Sequence, residues 1–158
     1  MSISTLAPQL AVFREDRPIS VRNLGTVDIP QGLLVLLDTA NQLGATSPGI
    51  ETFAQNLSFS VCLPAIGAHA SAPALGWLAS TAKARGDLAE LVCHGTVPVI
   101  AAGTITASTL LALNCSSGRL GWACEAGTGD YAIGMALTDA ADGAAFMMRL
   151  WGAAWLVP

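Results

Sequence analysis

The sequence predicts an all-β protein, a small barrel or sandwich with little helix, built from two related strand-turn-strand repeats. Three observations carry that expectation. The first is a matched pair of segments, Gly86–Gly95 and Gly143–Gly152, equal in length and bounded by glycine at both ends. Their apolar positions coincide: Ala89 with Phe146, Leu91 with Met148, Cys93 with Leu150. Glu90 and Arg149 fall on the opposite face. A period of two is the mark of a half-buried strand. The second observation is that the match extends upstream, where Gly76-Trp-Leu-Ala corresponds to Gly134-Met-Ala-Leu, and Ile29–Asp38 corresponds to Ile105–Asn114. The order is the same in both halves. The third is that glycine- and serine-rich turns separate short apolar runs throughout, a pattern of hairpins rather than helices.

Taken in order, residues 1–24 read as an N-terminal arm punctuated by Pro8 and Pro18. Arg14, Arg17 and Arg22 share it with Glu15 and Asp16, a mixed and solvated segment. Arms of this kind commonly dock on a neighbouring subunit, and terminal disorder is equally allowed by the sequence; Phe13, Arg14 and Arg17 are its candidate interface residues. Residues 25–152 form a single β domain. Its first repeat spans 25–95 and carries an insertion at 48–74, within which Leu57–Leu63 alternates as one further strand; the second repeat spans 97–152. Ala74–Arg85, with Pro73 at its start, is the best helix candidate. The corresponding stretch Thr138–Asp142 is so short that it limits any helix to a turn or two. Residues 153–158 are an apolar C-terminal tail. If Phe146, Met148 and Leu150 point inward, Trp151 points outward, and with Trp155 in the tail it forms a candidate contact patch. The other arrangement has the tail folding back over Trp151 within the same subunit.

Composition narrows the function classes. Only 11% of residues are charged and 53% are hydrophobic, less polar surface than a small monomer needs, so apolar surface is expected to be buried against other chains. The net charge of -4, with Lys83 as the only lysine, leaves no basic stripe for nucleic acid. The uncharged run between Glu51 and Lys83 contains Gln55, Asn56, Pro64, His69 and Pro73, poor material for a membrane span. Met1–Val12 lacks the basic start and long apolar stretch of a signal peptide. Cys62, Cys93, Cys115 and Cys124 show no metal-binding spacing and read as free thiols, although a Cys115–Cys124 disulfide could close a hairpin.

Chemistry is sparse. His69 and His94 have no carboxylate neighbours in sequence and read as structural. Gly127–Gly134 lacks the spacing and context of a phosphate-binding loop and reads as the entry to a strand at Tyr131–Leu137. Asp130, Asp139 and Asp142 could bind a hard cation, but Asp139 and Asp142 are ordinary turn residues. The expectation is a protein that is not an enzyme and uses no cofactor or metal.

Val97-Pro-Val99, Ala102-Gly103, Ile105, Gly134–Leu137, Ala140, Gly143 and the apolar strand to Leu150 resemble the head-decoration, or capsid cement, proteins of tailed phages, over roughly residues 76–152. The chain departs from that pattern at Ser108, where glycine is usual. The resemblance implies a β-tulip-like domain and a homotrimer on the outer surface of the virion capsid. It also implies that the trimer clamps neighbouring subunits of the major capsid protein and so stabilises the head. A rival expectation is a virion-surface binding module for a carbohydrate or host receptor, with Trp151 and Trp77 stacking on sugar rings.

Overall fold

The computed structural model describes residues 13–14, 18–38, 59–67, 73–84 and 88–158. Eleven strands follow in order: β1 (Phe13–Arg14), β2 (Ile19–Arg22), β3 (Leu34–Leu37), β4 (Phe59–Cys62), β5 (Gly76–Leu78), β6 (Leu88–Val92), β7 (His94–Ile100), β8 (Leu110–Leu113), β9 (Ala123–Glu125), β10 (Tyr131–Ala136) and β11 (Ala145–Leu156). The fold is all-β, with no helix among the described residues. The expected helical turn at Ala74–Arg85 is absent from the described part of that stretch. Trp77 and Leu78 belong to β5, and Ala82 forms a bridge to Ile29. The strand expected within Leu57–Leu63 is β4.

Five strands close a barrel in the order β2-β4-β3-β5-β6. The remaining six form a sheet in the order β1-β7-β11-β10-β8-β9. That sheet curls back on itself, for β7 and β9 meet again at a parallel bridge between Ala101 and Ala123, where the Ala102 N–H donates to the Ala123 carbonyl at 2.8 Å. The second unit therefore has the strand order of the first, β7-β9-β8-β10-β11, with β1 added at the outer side of β7.

The correspondence holds bond by bond. Leu34 pairs with Trp77 as Leu110 pairs with Met135; Val35 pairs with Gly76 as Leu111 pairs with Gly134. In the hairpins, Trp77 pairs with Val92 and Leu78 with Leu91, as Met135 pairs with Arg149 and Ala136 with Met148. Ile29 and Ala82 exchange two backbone hydrogen bonds, and so do Ile105 and Ala140. The Ser80 hydroxyl accepts from the Glu90 N–H, and the Thr138 hydroxyl from the Met147 N–H. Cys62 opposite Leu36 matches Cys124 opposite Ala112.

Each barrel fills its interior with equivalent side chains. In the first these are Val21, Ile29, Val35, Val61, Leu78, Ala82, Ala89 and Leu91. In the second, Val99, Ile105, Leu111, Ala123, Ala136, Ala140, Phe146 and Met148 take their places. Burial of each large member is worth about 1.5–3 kcal/mol, which makes these interiors the main source of stability. Asn23, buried beside the first interior, is fully used: its amide donates to the carbonyls of Val27 (2.7 Å) and Ala82 (3.0 Å), and its Oδ1 accepts from the Gly25 N–H.

Two sequence boundaries change. Ile19–Arg22, given above to the arm, is a barrel strand, paired with β4 and β6 and carrying the fully buried Val21. Alternation over only four residues beside Pro18 was too short a signal to separate it from the arm. Likewise β4, inside the span assigned to an insertion, is a barrel strand with a counterpart in β9.

The barrels are fused through an outward row of the first. Leu34, Trp77 and Val92 stand side by side across β3, β5 and β6, face away from their own interior, and are buried in the cluster that includes the core of the second barrel. Backbone contacts lock the junction: the Leu34 N–H donates to the Gly121 carbonyl at 2.8 Å, and the Gly67 N–H to that of Cys115 at 3.1 Å. Gly121 has φ +82°, and a Cβ there would lie 2.9 Å from the Leu34 carbonyl oxygen, so the junction requires glycine.

Candidate interaction surface

The last strand carries the residues singled out for contact. β11 runs twelve residues, and its ladder with β10 slips where Ile133 alone stands opposite Trp151, Gly152, Ala153 and Ala154. A bulge of this kind bends the strand and re-aims its side chains. Gly152, at φ +72°, takes up the left-handed turn. Beyond it the tail continues as strand: Trp155 pairs with Ala132 and Leu156 with Tyr131. Val157 exchanges backbone bonds with the loop before β10, accepting from the Gly129 N–H and donating to the Asp130 carbonyl, both at 2.9 Å. Residues 153–157 are therefore fixed, not trailing.

The bend brings Trp151 and Trp155 together, with ring centroids 4.5 Å apart and planes tilted by 34°. Trp151 is half-buried beneath its partner, whereas Trp155 is 53% and Leu156 57% exposed. The stack is worth about 0.5–1.5 kcal/mol beyond its buried area. Trp151 pairs across β7 with His94.

Phe13 and Arg14 arrive at the same sheet from the other side. β1 pairs with β7, setting Phe13 opposite Thr96 and Arg14 opposite Gly95, while Thr96 and Gly95 pair on their far side with Arg149 and Leu150 of β11. The structure thus places Phe13 and Arg14 on β1 and Trp151 on β11, the two strands that flank β7. Arg17 and His69 lie outside the described residues. Leu156 was not singled out in the sequence; its place immediately after Trp155 was the available signal. Of the other exposed large apolar residues among those described, Val27, Leu37, Ile66 and Leu88 belong to the first barrel and Leu137 to the second. Val27 sits on an open groove of about 180 Å³ shared with Asn23, Cys62 and Leu63.

Charge is used to tie loops at the barrel ends. In the second barrel Asp142 accepts from the Gly103 N–H at 2.8 Å and from the Nη1 and Nη2 groups of Arg119, each at 2.7 Å. The backbone bond first, and then the arginine, hold its carboxyl below the usual value. Arg119 also lies 5.8 Å over the Trp122 ring, a cation–π contact of about 0.5–1 kcal/mol at such a site. In the first barrel Asp28 accepts from the Ala84 N–H and from Lys83, and its carboxyl is lowered for the same reasons in the same order.

All four cysteines are free, so Cys115 and Cys124 form no disulfide. Burial pushes the thiols of Cys62, Cys115 and Cys124 up, the last to about 11. A thiol so raised is protonated at neutral pH and is a poor nucleophile. What this site offers is apolar contact area on a rigid sheet.

No family model matches the chain, and no curated protein does. Among solved structures it is similar to the head fiber gp8.5 N base in bacteriophage phi29, with a TM-score of 0.48 and 14% identity, over 88% of this chain and 97% of that one. A likeness this loose carries no argument about function.

Proposed function

We propose that this chain is a structural protein of a phage virion: a decoration, or cement, protein that sits as a homotrimer on the outer surface of the capsid. There it binds the major capsid protein and stabilises the head. It catalyses no reaction and binds neither nucleic acid nor membrane. The observation that carries the reading is the end of β11, where the exposed Trp155 and Leu156 project from a backbone pinned on β10. Exposed tryptophan on a rigid element is a low-entropy anchor for a partner protein. The resemblance to cement proteins over residues 76–152 supports the same reading. Linking three copies would raise the effective concentration of the second and third contacts without any new chemistry.

The test is co-sedimentation with expanded capsids built from the major capsid protein of the encoding phage. The protein is expected to pellet with the shells, and Trp155→Ala to weaken binding by about tenfold or more. Failure of the wild-type protein to bind would reject the proposal. The exposed face of Trp155 also suits a sugar ring, which supports the rival reading of a carbohydrate-binding module. A glycan array showing binding that Trp155→Ala abolishes would favour that reading over cement.

A further inference from the structure

The duplication makes one surface of the second barrel interpretable from the first. In the first barrel the outward row Leu34–Trp77–Val92 is covered: the three residues are 0%, 7% and 1% exposed, buried by the second barrel. Strand pairing gives the equivalent row of the second barrel as Leu110–Met135–Arg149. The register carries it on across β7 to Thr96 and then to the position of Phe13 in β1. Leu110, Met135, Arg149 and Thr96 are each half-buried, and none belongs to the cluster between the barrels.

We propose that a second copy of this chain covers the Leu110–Met135–Arg149 row, taking on the second barrel the place that the second barrel takes on the first. The way the two units meet points to this. Had they packed face to face about a twofold axis, both rows would be buried in one interface. Only the first is. The contact is therefore heterologous: like units meet through unlike surfaces, and among the described residues no further unit lies over Leu110 and Met135 as the second barrel lies over Leu34 and Trp77. A heterologous contact repeats until it closes into a ring or runs on as a filament. Three chains closed in this way would place six barrels around one axis.

The composition of the row fits a contact between separate chains. Leu110 stands where the first barrel has Leu34, and Met135 where it has Trp77, so the apolar centre is kept. Arg149 replaces Val92, which keeps the row soluble in the free chain. Methionine and arginine are both enriched where protein surfaces meet. The low proportion of charged residues, 11%, also favours burial of such a row between copies. The row adjoins the Trp151–Trp155 end of β11, Arg149 lying two residues before Trp151, but the variants that test it are at Leu110 on β8 and Met135 on β10, so self-association and shell binding can be scored separately.

Sedimentation velocity of the full chain across a range of concentrations tests the proposal. The wild type is expected to form a concentration-dependent oligomer. Leu110→Asp and Met135→Asp are each expected to weaken it by at least about tenfold, with unchanged circular dichroism. Leu88→Asp, at an exposed residue of the first barrel off this row, is expected to leave assembly intact. Hydroxyl-radical footprinting of the wild type reads the same surface without mutation: Met135 should become protected from oxidation as concentration rises. A monomer at every concentration, an oligomer indifferent to both row variants, or Met135 oxidation independent of concentration would each overturn the proposal.

Discussion

Gly76 and Gly134 face the same obstacle. A Cβ on Gly76 would lie 2.7 Å from the carbonyl oxygen of Val92, and a Cβ on Gly134 would collide with that of Arg149, the residue equivalent to Val92. Both glycines lie at the point where the first strand of a hairpin passes closest to its partner. The nearest atom in each case is backbone, which cannot step aside as a flexible side chain can, and the equivalent side chains of Leu91 and Met148 crowd the same space. Gly76→Ala and Gly134→Ala should each destabilise the protein by about 2–3 kcal/mol or more, read as a lower urea midpoint. Tolerance of alanine at either site would mean that the hairpins are less tightly paired than described.

Ser108 should respond in the opposite direction. Its φ is 70°, the left-handed region, and its counterpart in the first barrel is Gly32 at φ 89°. The pair is fixed by matching bonds: the Gly32 N–H donates to the Leu78 carbonyl and the Ser108 N–H to that of Ala136, both at 2.8 Å. A left-handed serine costs about 1–2 kcal/mol, partly offset in a glycine variant by greater freedom of the unfolded chain. Ser108→Gly should therefore stabilise by about 0.5–1 kcal/mol, measured as a raised Tm.

The aspartates at the barrel ends give stability a defined pH dependence. The carboxyls of Asp142 and Asp28 are held below their ordinary value of 3.8, chiefly by backbone N–H groups and then by Arg119 and Lys83. A depressed folded value stabilises fully above the unfolded value, and the contribution is lost as pH falls through the folded one. Asp142→Asn should therefore lower Tm at neutral pH, and the gap from wild type should close as pH is taken below about 4. A gap that widened on acidification would contradict the assignment. Both aspartates are exposed, so salt should shrink the effect.

Cys124 gives a probe of local opening. Its thiol is raised to about 11, by burial first and the nearby Asp130 charge second, and its Sγ lies 3.6 Å from the Ala112 carbonyl. At pH 7–8, alkylation of Cys124 should be slow in the native protein and become rapid only on unfolding, as followed by mass spectrometry. Fast native-state alkylation would show that β8 and β9 separate readily.

Much of this architecture was legible in the sequence, and what was missed has a physical reason. The alternation in Gly86–Gly95 and Gly143–Gly152 located β6 and the body of β11, because inward residues recur at every second position in both. The alignment of Ile29–Asp38 with Ile105–Asn114 found β3 and β8. The equivalences of β2 with β7 and of β4 with β9 went unread. Each pair has its own sequence offset, since the connection between Asp38 and Phe59 is far longer than that between Asn114 and Ala123. Four-residue strands such as Ile19–Arg22 also carry too little periodicity to align alone. The Leu110–Met135–Arg149 row was hidden for a different reason: Leu110 and Met135 look like core residues until the covered state of Leu34 and Trp77 shows which face they occupy. Pairing of Trp151 with Trp155 required the bulge at Gly152, a consequence of register that composition does not encode.

The central claim is that one five-strand barrel plan is folded twice in this chain. Residue-resolved amide hydrogen exchange by NMR tests it most directly. Slowly exchanging amides should come in equivalent pairs, Ile29 with Ile105, Leu78 with Ala136, Ala79 with Leu137 and Ala82 with Ala140, since each donates the corresponding backbone bond. Protection confined to one half of the chain, or slow amides without their partners in the other half, would contradict it.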